Sequence, residues 1–287
     1  MTSAVTFEST QKTAQVDGVK FNYHEAGEGV PLILLHGSGP GVTAWSNFGP
    51  NLPFFADTFR TIMPDLPGFG LTDLPELDEI YTVAAARWIA KFMDHLGIES
   101  AVFVGNSMGG AVVAELAALH PERVRRQAVM GSGGMSVGIF QAEPSEGFLR
   151  LFEFLEDPVR DRMIAWIKTM VYDKALITDE LVDQRLTNAL AEGVLGKTKT
   201  IFGTLFNPAF RTSYVPLWTK AESLKTPTLL LWGRDDRMIP YDQAHFATRW
   251  LPEVELHTFA HCGHWIQVER KADFERVVHE FLTRHTA

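Results

Sequence analysis

The sequence has one cysteine, Cys262, among its 287 residues. No internal disulfide can form, so burial alone must hold the chain together, and a lone thiol fits a reducing compartment. Dense runs of lysine or arginine are absent, and 35 acidic against 26 basic residues give a net charge of -9. A net anion attracts neither nucleic acid nor an acidic membrane surface, so neither is expected as a main partner. No apolar run approaches the roughly 20 residues of a membrane span. Residues 1–11 are polar and lack the charged-then-apolar pattern of a secretion signal. Cysteine and histidine show no metal-ligand spacing, and there is no repeat or low-complexity tract. What remains is the expectation of a cytoplasmic protein acting on a small molecule, with no cofactor and no metal. A homo-oligomer, dimer or higher, is expected on general grounds.

The chain is long enough, and at 46% hydrophobic apolar enough, for one large domain with an insertion. Residues 13–24 read as a hairpin around Asp17-Gly18, flanked by alternating apolar and polar positions. Pro31-Leu-Ile-Leu-Leu35 is continuously apolar, as a strand buried on both faces requires. Further strands are expected at 59–63, 102–104, 124–130, 226–232 and 254–259. Helical spacing marks residues 81–96, 111–119, 241–251 and 271–284. Strands alternating with helices imply right-handed βαβ units and a parallel sheet. The alternation stops between 135 and about 224, where helical patterns at 148–155, 161–171 and 179–190 carry dense aromatics and methionines. The expected organisation is a core in two parts, 1–134 and 225–287, with a helical cap at 135–224. Such a cap needs an apolar underside, which can roof a pocket.

One stretch organises the rest. Gly105-Asn-Ser-Met-Gly109 follows an apolar strand and opens a helix, which is the G-x-S-x-G arrangement of a nucleophile elbow. Ser107 would stand at the tip of the turn; a plain N-cap serine is the alternative. A neutral serine needs a base, and imidazole has the right proton affinity near neutrality. The imidazole in turn needs a carboxylate to fix its tautomer and stabilise its cation. Open parallel sheets bind ligands at the carboxyl ends of their strands. There lie Ser107, the pair Asp235-Asp236 and His264, with His261 as a rival base. Their order, Ser, Asp, His, is that of the α/β-hydrolase fold. Position alone does not separate Asp235 from Asp236. The developing oxyanion needs two N–H donors, expected from Met108 and from Gly39 in His36-Gly-Ser-Gly-Pro-Gly41. That loop is no phosphate loop, because no Gly-Lys-Ser/Thr follows it. Cys262 reads as packing.

Several motifs go further. Leu35-His-Gly-Ser-Gly-Pro-Gly41 is followed by Trp45-Ser-Asn-Phe48. Others are Pro64-Asp-Leu-Pro-Gly-Phe-Gly70, Gly105-Asn-Ser-Met-Gly109 and Met130-Gly-Ser-Gly-Gly134. Met170-Val-Tyr-Asp-Lys174 precedes Leu176-Ile-Thr-Asp-Glu-Leu-Val-Asp-Gln-Arg185. Trp232-Gly-Arg-Asp-Asp236 and His261-Cys-Gly-His-Trp265 complete the set. From about residue 30 to the end, the chain resembles the meta-cleavage product hydrolases, C–C bond hydrolases of aromatic and steroid ring degradation. It looks closest to biphenyl- and steroid-pathway members. The resemblance implies an α/β-hydrolase fold with a mostly parallel sheet, helices on both faces and an inserted cap. It implies Ser107 as nucleophile, Asp236 as acid and His264 as base. It also implies that Arg185, Asn106, Asn47 and Trp265 hold the dienoate end of a 2-hydroxy-6-oxohexa-2,4-dienoate. Ser38 departs from the smaller residue of many relatives, and its hydroxyl becomes a candidate substrate contact. Ile139, Phe140, Met170, Tyr172, Phe206 and Met238 are candidates for the pocket around the rest of the substrate. The alternatives are a carboxylesterase with the same triad, which would not need a buried cap arginine, and a non-catalytic small-molecule receptor on the same fold.

Overall fold

A computed structural model describes residues 5–134 and 144–284. Eight strands form one sheet: β1 (Gln11–Val16), β2 (Val19–Ala26), β3 (Pro31–Leu35), β4 (Arg60–Pro64), β5 (Ala101–Asn106), β6 (Val124–Met130), β7 (Thr228–Gly233) and β8 (Val254–Phe259). Their spatial order is β1-β2-β4-β3-β5-β6-β7-β8. The β1–β2 hairpin turns through Asp17 and Gly18, both at positive φ, as a tight two-residue turn requires. β1 and β2 are antiparallel, as are β2 and β4, and every pairing from β4 to β8 is parallel. The expected mostly parallel sheet is therefore found. Its inner strands β3, β5 and β7 are buried almost throughout, which explains why they read as unbroken apolar runs.

Helices cover both faces. α1 (Tyr81–His95) and α2 (Met108–Leu119) contribute Ile89, Phe92, Val112 and Leu116 to one core with Phe21, Ile33 and Phe103. The last helix contributes Phe274, Val278 and Phe281 to the other core, with Leu32, Val104 and Leu231. Between β6 and β7 the chain forms a helical layer: α3 (Glu146–Glu156), α4 (Arg160–Met170), α5 (Asp179–Leu190) and α6 (Val194–Gly203). Thr178 caps α5 by accepting the Leu181 N–H, and Asp179 and Glu180 follow where the helix field favours negative charge. This layer has its own core of Leu151, Phe154, Met163, Trp166 and Ile167, joined by Met238 and Trp265 from below. After it come α7 (Asp242–Trp250) and α8 (Lys271–Thr283).

Several elements were not legible in the pattern. Ala44–Phe48 and Leu52–Ala56 are single helical turns, too short to display a period. α6 contains Gly196, Gly203 and the threonines Thr198 and Thr200, poor helix formers, and its buried Thr198, Ile201 and Phe202 show that packing overrides propensity there.

Candidate active site

Ser107 has φ 53 and ψ -116, a strained conformation between β5 and α2. The tightness has a visible cause: a Cβ on Gly105 would lie 2.5 Å from the Gly110 Cα. Ser107 precedes α2 but makes no capping bond through its side chain, so the N-cap alternative does not account for it. The residue is buried, only 7% exposed, and lines two cavities.

The acidic pair left open by position is separated by geometry. The Asp236 Oδ1 accepts the Met238 and Ile239 N–H groups at 2.8 and 2.9 Å, which fixes the carboxylate. Its Oδ2 lies 2.7 Å from His264 Nδ1, and both side chains are 1% exposed. A carboxylate only accepts, so Nδ1 carries the proton and the Nε2 lone pair is left over. Nε2 has no hydrogen-bond partner and is buried in a cavity that Ser107 also lines. Asp235 instead accepts the Cys262 N–H at 3.3 Å and shapes the turn. His261 is exposed, with Nδ1 2.9 Å from the Tyr172 hydroxyl. Burial pushes the Cys262 thiol well up, so it stays protonated and unreactive.

His36, which sequence reasoning passed over, organises the glycine loop. Its Nδ1–H donates to the Gly37 carbonyl at 2.6 Å, and its Nε2 accepts the Leu66 N–H at 2.9 Å. Complete burial lowers its proton affinity and keeps it neutral. The loop then passes under the cap. Gly41 sits at φ 64, and a Cβ there would stand 2.5 Å from the Arg185 carbonyl. Only glycine permits this approach, which brings α5 down over the site.

The first cavity is a narrow slot of about 20 Å³, lined by Gly37, Ser38, Gly39, Asn47, Asn106, Ser107, Arg185, His264 and Trp265 among others. Its walls hold several buried polar atoms without a partner among the described residues: Asn47 Oδ1, Asn106 Nδ2, Trp166 Nε1, Arg185 Nη1 and His264 Nε2. The two amides touch once, Asn47 Nδ2 donating to Asn106 Oδ1 at 3.3 Å. The Arg185 guanidinium is 5.1 Å from the Trp265 ring, has no acidic partner among the described residues, and is lowered by burial to a pKa of about 10. A surface arginine would show none of this. The second cavity is a chamber of about 810 Å³, lined by Ser38, Ser107, Met108, Phe148, Ile201, Phe202, Leu205, Phe206, Met238 and others.

Every candidate site residue except Asp236, which stands behind His264, thus borders one cavity or both. Trp166 was visible only as one cap aromatic among many. Of the proposed pocket residues, Met170 lines the slot, Phe206 the chamber and Met238 both. Tyr172 lines neither; it lies exposed against His261, because α4 has already ended. Ile139 and Phe140 fall outside the described residues. Among the described residues no group of three or more His, Cys, Asp or Glu side chains could hold a metal. No helix among the described residues is long and apolar enough to cross a membrane.

A parallel sheet carrying a serine at a strained strand–helix turn, with a buried Asp–His pair at neighbouring strand ends, defines the class, and the family model for the alpha/beta hydrolase fold matches residues 30–271. A 2-hydroxy-6-oxo-6-phenylhexa-2,4-dienoate hydrolase of Burkholderia cepacia is 37% identical over 92% of this chain and 91% of its own. A 2-hydroxy-6-oxononadienedioate/2-hydroxy-6-oxononatrienedioate hydrolase of Comamonas testosteroni is also 37% identical, over 92% and 91%. The solved meta-cleavage product hydrolase from Pseudomonas fluorescens IP01 superposes with a TM-score of 0.84 at 32% identity, covering 96% of this chain and 98% of that one. The chain belongs to the meta-cleavage product hydrolases of the α/β-hydrolase fold.

Proposed function

We propose that this protein hydrolyses the C5–C6 bond of a 2-hydroxy-6-oxohexa-2,4-dienoate, giving 2-hydroxypenta-2,4-dienoate and a carboxylic acid. The observation that carries this reading is the unpaired, buried Arg185 among the orphaned polar atoms of the slot. Each orphaned neutral group costs about 1–3 kcal/mol, and a charge costs more. A planar acid rich in oxygen, bound in the slot, would satisfy them together: the guanidinium takes the C1 carboxylate, and the amides take the C2 oxygen. The slot is little larger than one water, so the cap side chains Leu151 and Trp166 must yield to admit it. The chamber would take the C6 substituent, and Phe148, Phe202 and Met238 suit an apolar, aryl-sized group.

The chemistry follows from this placement. A bare carbanion is a very poor leaving group, so the dienol first tautomerises to its 2-oxo form, gaining a proton at C5 and an electron sink at C2. Ser107 then attacks the C6 carbonyl while His264 Nε2 takes its proton and Asp236 stabilises the imidazolium. Met108 and Gly39 N–H groups hold the oxyanion. Collapse breaks C5–C6, the departing carbon becomes the dienolate and is protonated, and the acyl group stays on Ser107. Water, deprotonated by His264, releases the acid. The single cysteine and the anionic surface support a cytoplasmic setting. Size-exclusion chromatography tests the expected dimer or higher oligomer.

The purified protein is tested with 2-hydroxy-6-oxo-6-phenylhexa-2,4-dienoate and with an aryl ester, each followed by absorbance. Catalytic loss of the yellow dienoate supports the reading. Ester turnover alone makes the protein a carboxylesterase, and binding without turnover of either makes it a receptor.

A further inference from the structure

The turn that carries His264 is gripped by the cap as well as by the core. The Met170 carbonyl, at the end of α4, accepts the N–H of His264 at 2.8 Å and that of Trp265 at 3.2 Å. Glu269 ends the short helix Ile266–Glu269 just downstream and binds both sides at once. Its Oε1 accepts the Gly263 N–H at 2.6 Å, on the base-bearing turn. Its Oε2 accepts the Tyr172 and Asp173 N–H groups at 2.7 and 2.9 Å, on the cap. The Tyr172–His261 hydrogen bond adds another tie, and it falls on a residue held at φ 52. There is no slack in the joint: a Cβ on Gly263 would stand 2.7 Å from the Met170 carbonyl oxygen and 3.1 Å from Glu269 Oε1.

We propose that Glu269 is a positioning residue whose carboxylate locks turn 261–265 to the end of α4, so that His264 is held in register with Asp236 only while the cap is seated. The proposal rests on the assignment of His264 as the base. Its logic is that of a bridging anion. One carboxylate accepts three backbone N–H groups from two elements, and hydrogen bonds to an ionised acceptor are about twice as strong as neutral ones. Because Met170 and Trp265 also line the slot, a displacement of the cap that admits substrate loosens the base at the same moment. Closure restores it, so proton transfer waits for a seated cap.

Glu269→Gln keeps the size and replaces one acceptor oxygen by a donor that faces N–H groups. Misplacing a catalytic group by about 1 Å costs on the order of 100-fold in rate. The variant is therefore expected to lose about 10- to 100-fold in kcat per folded enzyme, with KM within about threefold, since Arg185, Asn47 and Asn106 are untouched. The downfield proton resonance of His264 Nδ1–H, assigned by its absence in Asp236→Asn, should broaden at temperatures where the wild-type signal is sharp. Tyr172→Phe removes only an exposed hydroxyl, so it folds even if the first variant does not. It should lower kcat by about two- to fivefold, again without a change in KM. Wild-type kcat and a sharp resonance in Glu269→Gln overturn the proposal, and so does a raised KM with unchanged kcat. If Glu269→Gln does not fold, wild-type kcat in Tyr172→Phe overturns it. If the wild-type protein leaves the dienoate intact, the functional reading fails, and the resonance, which needs no substrate, still decides the clamp.

Discussion

The slot and the chamber meet at Ser107 but are built on opposite principles. The slot is narrow, and its walls present buried polar atoms that none of the described residues satisfies. The chamber is wide and mostly apolar, with Tyr81, Thr82, Ser145, Arg211 and Gln243 set among its apolar walls. A wall of orphaned donors and acceptors rejects a ligand that cannot pair with it by large factors, about 10⁴-fold or more. An apolar wall discriminates by size and rarely exceeds about 200-fold. On the proposed placement, the difference teaches how one site would be strict about the dienoate and lenient about the group attached to C6.

That comparison can be broken at its junction, in the slot, or in the chamber. Asp236→Asn acts at the junction. Its amide would donate toward His264 Nδ1 and reverse the tautomer, so kcat should fall about 10⁴-fold. Steady-state assays on the dienoate and on an aryl ester should show the same loss, because both need the base.

Arg185→Met acts on the slot alone. Losing a charge-assisted pair should lower kcat/KM for the dienoate about 100-fold, while ester turnover stays within about twofold. Stability should move the other way. Burial holds the Arg185 pKa in the fold at about 10, below its ordinary value. The charged form therefore costs stability at every pH below about 10, and the cost is relieved only as pH rises through that value. At pH 7 the cost is complete, so thermal unfolding should show Tm raised by a few degrees. A lower Tm would mean that the guanidinium stabilises the free enzyme. Phe148→Ala acts on the chamber and should have the smallest effect. The ratio of kcat/KM for 6-phenyl over 6-methyl dienoates should fall by about tenfold or less, with both substrates still turned over.

The same contrast explains what the sequence disclosed. The slot comes from strand ends and glycine-bearing turns, whose residue types are dictated locally, so Ser107, His264 and the 36–41 loop were visible. Asp235 and Asp236 were not separable, because adjacent residues share every local signal and differ only in where the turn points them. His36 and Trp166 were missed for a related reason. A buried imidazole between Gly37 and Leu66, or an indole packed over Gly39, is defined by contacts between distant segments. The chamber was least legible, since helix faces that line a cavity carry the same apolar period as faces that fill a core. Tyr172 shows the error this invites: it is an aromatic in the helical stretch, yet α4 ends two residues before it and its ring lies exposed.

The most direct test of the account mixes Ser107→Ala with 2-hydroxy-6-oxo-6-phenylhexa-2,4-dienoate and follows the absorbance through single turnover. The account predicts a rapid spectral shift as the dienoate enters the slot, binding close to wild-type affinity, and loss of C–C cleavage by at least about 10³-fold. Cleavage at the wild-type rate would contradict it, since the bond would then be broken without the serine at which the two cavities meet.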